Sequence, residues 1–250
     1  MSTIYILWLR QLKRYFRSKS RIVGSLGQPI LFLIALGYGF GSVFQKAGAG
    51  NYIEFLTPGI IAMSVLFTAI FSGIEIIWDK QFGFLKETLV APVSRTKIMI
   101  GRTLGGATVS LFQGLVVLIL ASLFGFSVAS LSVGSIIITV LFIILIALFF
   151  AGLGTAIASF LEDMQGFQLI MNFLVQPIFF LSGALFPLSG LPKALNYITI
   201  INPLSYGVDG LRGALLNAVH FGYFNDFVTL GSLTIIILGI GSYLFSKIEI

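Results

Sequence analysis

An all-α polytopic membrane protein is the fold class that this sequence predicts, and three observations predict it. Of its 250 residues 57% are hydrophobic and only 10% charged, far from the balance of a water-soluble domain. The apolar residues fall in long uncharged blocks: Ile22 to Gln45, Phe55 to Ile74, Thr103 to Leu161, Met164 to Pro192 and Phe227 to Ser246. A helix needs about 20 such residues to cross the hydrocarbon. Finally, the charges are concentrated between the blocks rather than within them.

The third block is nearly three times the spanning length and is divided where Gly125, Ser127, Ser130 and Ser132 interrupt it. Six transmembrane helices follow, at 22–44, 54–77, 103–123, 133–159, 166–187 and 227–246. They form one transmembrane domain over 1–250, with an N-terminal amphipathic interface helix at 3–21, a cytoplasmic helix at 79–91 and outer re-entrant helices within 188–226.

In the first element, Ile4, Leu7, Trp8, Leu12, Tyr15 and Phe16 recur at helical spacing, with Arg10, Lys13, Arg14 and Arg17 off that stripe. Such a helix lies on the inner leaflet with its basic residues toward anionic lipid, or it serves as a plain topology anchor. The first apolar block exceeds a signal-peptide core and is expected to be retained. Within it Gly37, Tyr38 and Gly39 resemble a potassium-channel filter. Ala35 and Leu36 before them do not fit that filter, whereas Gly37 and Gly41 suit close helix contact.

On span two Ser64, Thr68 and Ser72 repeat every four residues and so share one helix face. This hydroxyl stripe serves helix packing or a polar path, since Ser and Thr also satisfy their own backbone carbonyls. Glu54 and Glu75 lie near the ends of that span, where snorkelling accommodates them. After it, Asp79 to Arg102 is too charged for lipid. Phe82, Leu85 and Leu89 form an apolar stripe there, Lys86 and Glu87 lie off it, and Pro92 ends the helix.

Span five carries amides at Gln165, Gln168, Asn172 and Gln176 on one face. Facing lipid they would be costly, so they face protein or a watery path. Pro177 is expected to bend this span and free a carbonyl. Beyond it, Pro192 and Pro203 suit first turns of helices, the second capped by Asn202. Asp209 and Arg212 are spaced to pair, and His220, Phe221, Tyr223 and Phe224 form an aromatic rim.

The net charge of +6 is read as topology, with no nucleic-acid partner. Placing the N-terminus in the cytoplasm leaves only Lys46, Lys193 and Arg212 outside among 15 Lys and Arg. The positive-inside rule therefore puts both termini in the cytoplasm. Zero cysteines and a single histidine exclude disulfides, thiolate metal sites and imidazole clusters. No Gly-Lys dipeptide occurs, so the phosphate-binding loop of nucleotide hydrolases is absent. The spans also lack the interior carboxylates common in ion-driven carriers. A transporter with neither feature draws on an external motor, although uniporters share both absences.

Three pieces of sequence resemble the membrane subunits of type-two ABC exporters, the group that includes daunorubicin-resistance, nodulation-factor and polysaccharide export permeases. They are Trp78 to Arg102 (WDKQFGFLKETLVAPVSRTKIMIGR), Phe180 to Leu195 and Ile201 to Leu216. The resemblance implies a homodimer of this chain in the cell (inner or plasma) membrane, joined to two ABC ATPase subunits. ATP and magnesium are expected on that ATPase partner, and neither catalysis nor a cofactor or metal on this chain. It implies that the interface helix and the 79–91 coupling helix touch the ATPase, the latter through Phe82, Leu85, Lys86, Glu87 and Leu89. It also implies a substrate path between the two copies, largely along spans two and five; as these spans carry the polar stripes, Ser64, Thr68, Ser72, Gln168, Asn172 and Gln176 are expected along that path, or, for the three amides, at the dimer seam. The expected function is ATP-driven export of an amphipathic or lipid-like compound, including drugs (multidrug export). The alternatives are a lipid-linked polysaccharide exporter subunit and a self-contained channel or facilitator.

Overall fold

The computed structural model describes residues 2–46, 50–90, 92–127, 131–188 and 190–248, apart from the side chains of Lys86 and Leu89. Ser130, expected to help divide the third block, lies outside the described residues, as do Ala91 and Ser189. Among the described residues the regular elements are helices.

Helix α1 (Thr3–Arg17) starts at Ser2, whose Oγ accepts the Tyr5 N–H. It runs along α6 (Arg95–Leu123). Leu7 and Gln11 of α1 lie over Gly101 and Gly105 of α6, where the missing side chains let the two helices approach closely. Trp8 Nε1 donates to Thr108 Oγ1 at 3.0 Å, and Tyr15 Oη donates to Gln113 Oε1 at 2.7 Å. Leu7 and Tyr15 are thus buried against protein. Of the apolar stripe, Leu7 and Tyr15 are taken up in helix packing, while Phe16 is exposed.

After Ser18 the chain enters α2 (Lys19–Lys46). Helix α3 (Tyr52–Phe71) is capped by Asn51 and fills the centre of the bundle, buried from Leu56 to Leu66. Two residues later α4 (Ile74–Gln81) prolongs it. At this junction a Cβ on Gly73 would collide with the Gly154 carbonyl of α7 (Val133–Phe160), and one on Gly154 with the Ile70 carbonyl. The two backbones therefore cross in contact, as small residues permit in membrane helices.

The expected helix at 79–91 is divided. Its first turn belongs to α4, the chain turns at Phe82 and Gly83, and α5 (Phe84–Val90) follows. Gly83 has φ +79°, a left-handed conformation that glycine adopts without strain.

Five described helices are long and apolar enough to cross a membrane: Lys19–Lys46, Tyr52–Gln81, Arg95–Leu123, Val133–Phe160 and Tyr223–Ser246. The stretch expected as a span at 166–187 is shorter. It consists of α8 (Met164–Ile170), a π-helical turn (Met171–Val175) and α9 (Gln176–Phe180). The Gln176 N–H reaches back to the Met171 carbonyl. Widening the helix just before Pro177 accommodates a ring that has no N–H to offer and crowds the preceding turn.

At the end of the bundle away from α1 lie α10 (Lys193–Ile201) and α11 (Pro203–Leu216), before α12 (Tyr223–Ser246). Asn202 caps α11 as expected, its Oδ1 accepting the Leu204 N–H, while its Nδ2 donates to the Ile178 carbonyl beyond Pro177. Helix α11 is buried from Leu204 to Leu215, packed by α3, α7 and α12. Asp209 and Arg212 do not pair as their spacing suggests. Asp209 accepts the N–H groups of His220 and Phe221, closing the loop into α12. Arg212 donates to the Gly183 carbonyl and stacks on Phe55.

Candidate functional site

A cavity of about 720 Å³ lies between α1, α2, α3, α4 and α6. The hydroxyl stripe Ser64, Thr68 and Ser72 lines it, as their common face requires. The same stripe continues through Glu75 and Trp78 of α4. Opposite, α2 contributes Gly24, Ser25, Gln28 and Pro29, which are small or polar. Met63, Phe67, Phe71 and Val109 supply an apolar wall. The cavity is thus charged where Arg14, Arg21 and Glu75 meet, and from there an apolar wall and a hydroxyl stripe run side by side along α3, a lining that suits an amphipathic molecule.

The charged end is organised around Glu75. Arg21 Nη1 donates to Glu75 Oε1 at 2.8 Å, and Arg14 Nη1 approaches Oε2 at 3.5 Å. Arg14 also lies over the Trp78 ring at 5.4 Å. Glu75 is buried and paired rather than snorkelling to the surface, because α1 and α2 bring two guanidinium groups to it. Beside the cavity, burial pushes the Tyr15 phenol above its usual value of 10. Among the described residues, two buried polar atoms at the lining have no hydrogen bond, Ser64 Oγ and Glu75 Oε2.

One turn beyond Glu75, Asp79 pairs with Arg102 of α6, with Arg10 and Arg14 near its other oxygen. Neither Asp79 nor Arg102 figured among the expected site residues. The available signal was the spacing of Glu75 and Asp79 at i and i+4, which puts two carboxylates on one helix face at the end of an apolar block. Lys80 is also engaged. Its Nζ donates to the carbonyls of Ala158, Ser159 and Leu161 at 3.1, 2.8 and 3.0 Å, satisfying the C-terminal end of α7.

On the outer side of the ion cluster, a second concavity of about 730 Å³ runs between α1 and the α4–α5 turn. Tyr5, Ile6, Leu9, Phe82 and Phe84 give it apolar surface, and Arg10, Lys13 and Arg17 a basic rim. Of the residues expected to contact an ATPase, Phe82 is 72% exposed and Glu87 is exposed. Leu85 is not available at this surface: it is 3% exposed and part of the chain's own core. The break at Phe82 and Gly83 rotates α5 relative to α4, which turns Leu85 inward and leaves Phe84 outward in its place. The side chains of Lys86 and Leu89 lie outside the described residues.

The amide stripe faces elsewhere. Gln165, Gln168 and Asn172 are exposed and Gln176 half-buried, whereas Phe167 and Phe179 on the opposite face are buried against Phe71 and Phe67 of α3. The two polar stripes are therefore not brought together within one chain.

A family model described as ABC-2 type transporter matches residues 2–216. Among curated relatives, the putative transport permease ycf38 of Pyropia yezoensis is 32% identical over 230 residues, covering 88% of this chain and 76% of the relative. Nodulation protein J of Rhizobium meliloti (strain 1021) is 27% identical over 205 residues, covering 80% and 77%. The putative transport permease ycf38 of Cyanophora paradoxa is 27% identical over 216 residues, covering 84% and 72%.

Proposed function

The chain belongs to the ABC-2 type transporter family, and from that premise we propose that it is the membrane subunit of an ATP-driven exporter for an amphipathic or lipid-like compound. The observation that carries this reading is the cavity lined by Ser64, Thr68 and Ser72, with a charged group at Arg14, Arg21 and Glu75 and an apolar wall beside the hydroxyl stripe. A molecule with a head and a tail matches both the charged group and the apolar wall. Its tail finds the wall formed by Met63, Phe67 and Phe71, and its head the groups around Glu75.

The work is supplied by a separate ATPase. No Gly-Lys dipeptide is present to build a phosphate loop, and the concavity bearing Phe82, Phe84 and a basic rim offers that partner a surface. Contact there reaches the bundle through α4, which Lys80 ties to the end of α7. Two copies of the chain face one another across the exposed amides Gln168 and Asn172, since these are costly against lipid. Both termini lie in the cytoplasm, and the assembly sits in the inner or plasma membrane.

The test is reconstitution of the chain with its ATPase in proteoliposomes, following movement of a fluorescent amphiphile. ATP-dependent movement that Ser64→Phe blocks supports the reading. Movement at full rate without the ATPase would show a channel or facilitator instead.

A further inference from the structure

The charged end of the cavity carries an asymmetry. Its charged lining groups are Arg14, Arg21 and Glu75, an excess of one positive charge. The side chains of Arg14 and Arg21 are 37% and 33% exposed, whereas that of Glu75 is 5% exposed. The cations thus stand at the opening and the carboxylate behind them. Arg14 is under-used: it lies 3.5 Å from Glu75 and 4.0 Å from Asp79, and Glu75 Oε2 has no hydrogen-bond partner. A guanidinium has five N–H donors in a planar fork suited to carboxylate and phosphate oxygens, and Arg21 commits one of them to Glu75.

We propose that this cavity selects amphiphiles with an anionic head, phosphate or carboxylate, held by Arg14 and Arg21, with Glu75 as the built-in counter-ion that the head displaces. The inference rests on reading the cavity as the substrate path. In the empty site Glu75 partly neutralises the two arginines. An entering anion takes over their free donors, while its tail lies along Phe67 and Phe71. A cationic head meets the two arginines first and is repelled. A neutral head gains only hydrogen bonds, such as one to the unpartnered Ser64 Oγ.

Trp78 lines the cavity and is one of two tryptophans in the chain, so Trp8→Phe leaves it as a single reporter. The full-length chain in phosphatidylcholine nanodiscs is titrated with bromododecyl phosphate, its trimethylammonium analogue and bromododecyl maltoside, and quenching of Trp78 is read. Saturable quenching by the phosphate at the lowest concentration is expected. Arg14→Gln or Arg21→Gln should weaken it about tenfold, the size expected for a lost charge-assisted hydrogen bond. Arg14→Lys should weaken it less, and Glu75→Gln should tighten it. Ser64→Phe, which fills the cavity, should remove the saturable component. Discs containing phosphatidylglycerol separate two sources of the head: competition identifies a resident lipid, its absence a transported amphiphile, and both agree with an anionic site.

Equal quenching by all three probes, unchanged by the arginine variants, overturns the anion selectivity and leaves the path reading standing. Competition by inorganic phosphate as effective as by the amphiphile overturns the role of the tail. No saturable quenching by any probe overturns the path itself.

Discussion

Asp79 and Arg102, which are 23 positions apart in the chain, form an ion pair in which both side chains are almost wholly buried. The pair joins the end of α4 to the start of α6, and Arg10 of α1 leans on the same carboxylate. Arg102 Nε and Nη1 have no further partners, so Asp79 is the main compensation for that buried charge.

Breaking this pair from one side is therefore expected to be more damaging than removing it. Asp79→Asn leaves Arg102 uncompensated and should cost about 3 to 5 kcal/mol, whereas Asp79→Leu with Arg102→Met should recover much of that loss. Thermal unfolding of the purified protein in detergent measures both. A double variant less stable than the single one would show that the uncompensated charge is not what destabilises Asp79→Asn.

Phe82 and Leu85, assigned together from the sequence, should separate in function. Phe82 and Phe84 are exposed and Leu85 is core. Burying a large apolar side chain in a partner contributes roughly 1.5 to 3 kcal/mol, or about tenfold or more in affinity. Phe82→Ala with Phe84→Ala should weaken copurification of the ATPase while thermal stability stays near that of the parent. Leu85→Ala should instead lower stability by about 2 to 5 kcal/mol. The reverse pattern would mean that the partner binds elsewhere.

The exposed amides allow a direct test of the second copy. With no native cysteine, Asn172→Cys is expected to form a disulfide-linked dimer in membranes under mild oxidation, and an outward residue of α12 such as Ile235→Cys is not. Leucine at Gln168, Asn172 and Gln176 together should change transport or substrate range with expression largely intact. Monomeric Asn172→Cys and unaffected transport in the triple variant would reduce the stripe to lipid-facing surface.

Orientation is read by the same chemistry. Single cysteines at Gly50 and Asn217, both exposed, should react with an impermeant maleimide from outside intact cells. One at Thr96, at the exposed start of α6, should react only after permeabilisation. External labelling at Thr96 would invert the topology.

Lys80 offers a separate check on how α4 is anchored. Lys80→Met removes three hydrogen bonds to the end of α7, and Lys80→Arg retains a charged donor. The first should lower transport per ATP hydrolysed in the reconstituted complex, and the second less so. Equal ratios in both variants and the parent would leave Lys80 a purely local cap.

Much of the architecture follows from composition and period alone. Uncharged blocks such as Phe55 to Ile74 have one stable conformation in lipid, a helix that satisfies its own backbone. The five apolar spanning helices, the Asn202 cap and the common face of Ser64, Thr68 and Ser72 were accordingly legible in the bare sequence. What surrounds each face was not, because the same amphipathic pattern suits lipid, water or another helix. Only the fold shows that α1 lies on α6, that Gly83 turns Leu85 inward, and that Gln168 and Asn172 point away from the hydroxyl stripe. Only the fold brings Arg14 and Arg21 to Glu75, and Arg102 to Asp79. Helical period dictates which residues share a face, since it depends on neighbours in the chain. Pairing charges from different helices depends on how those helices pack, and no local pattern carries that information.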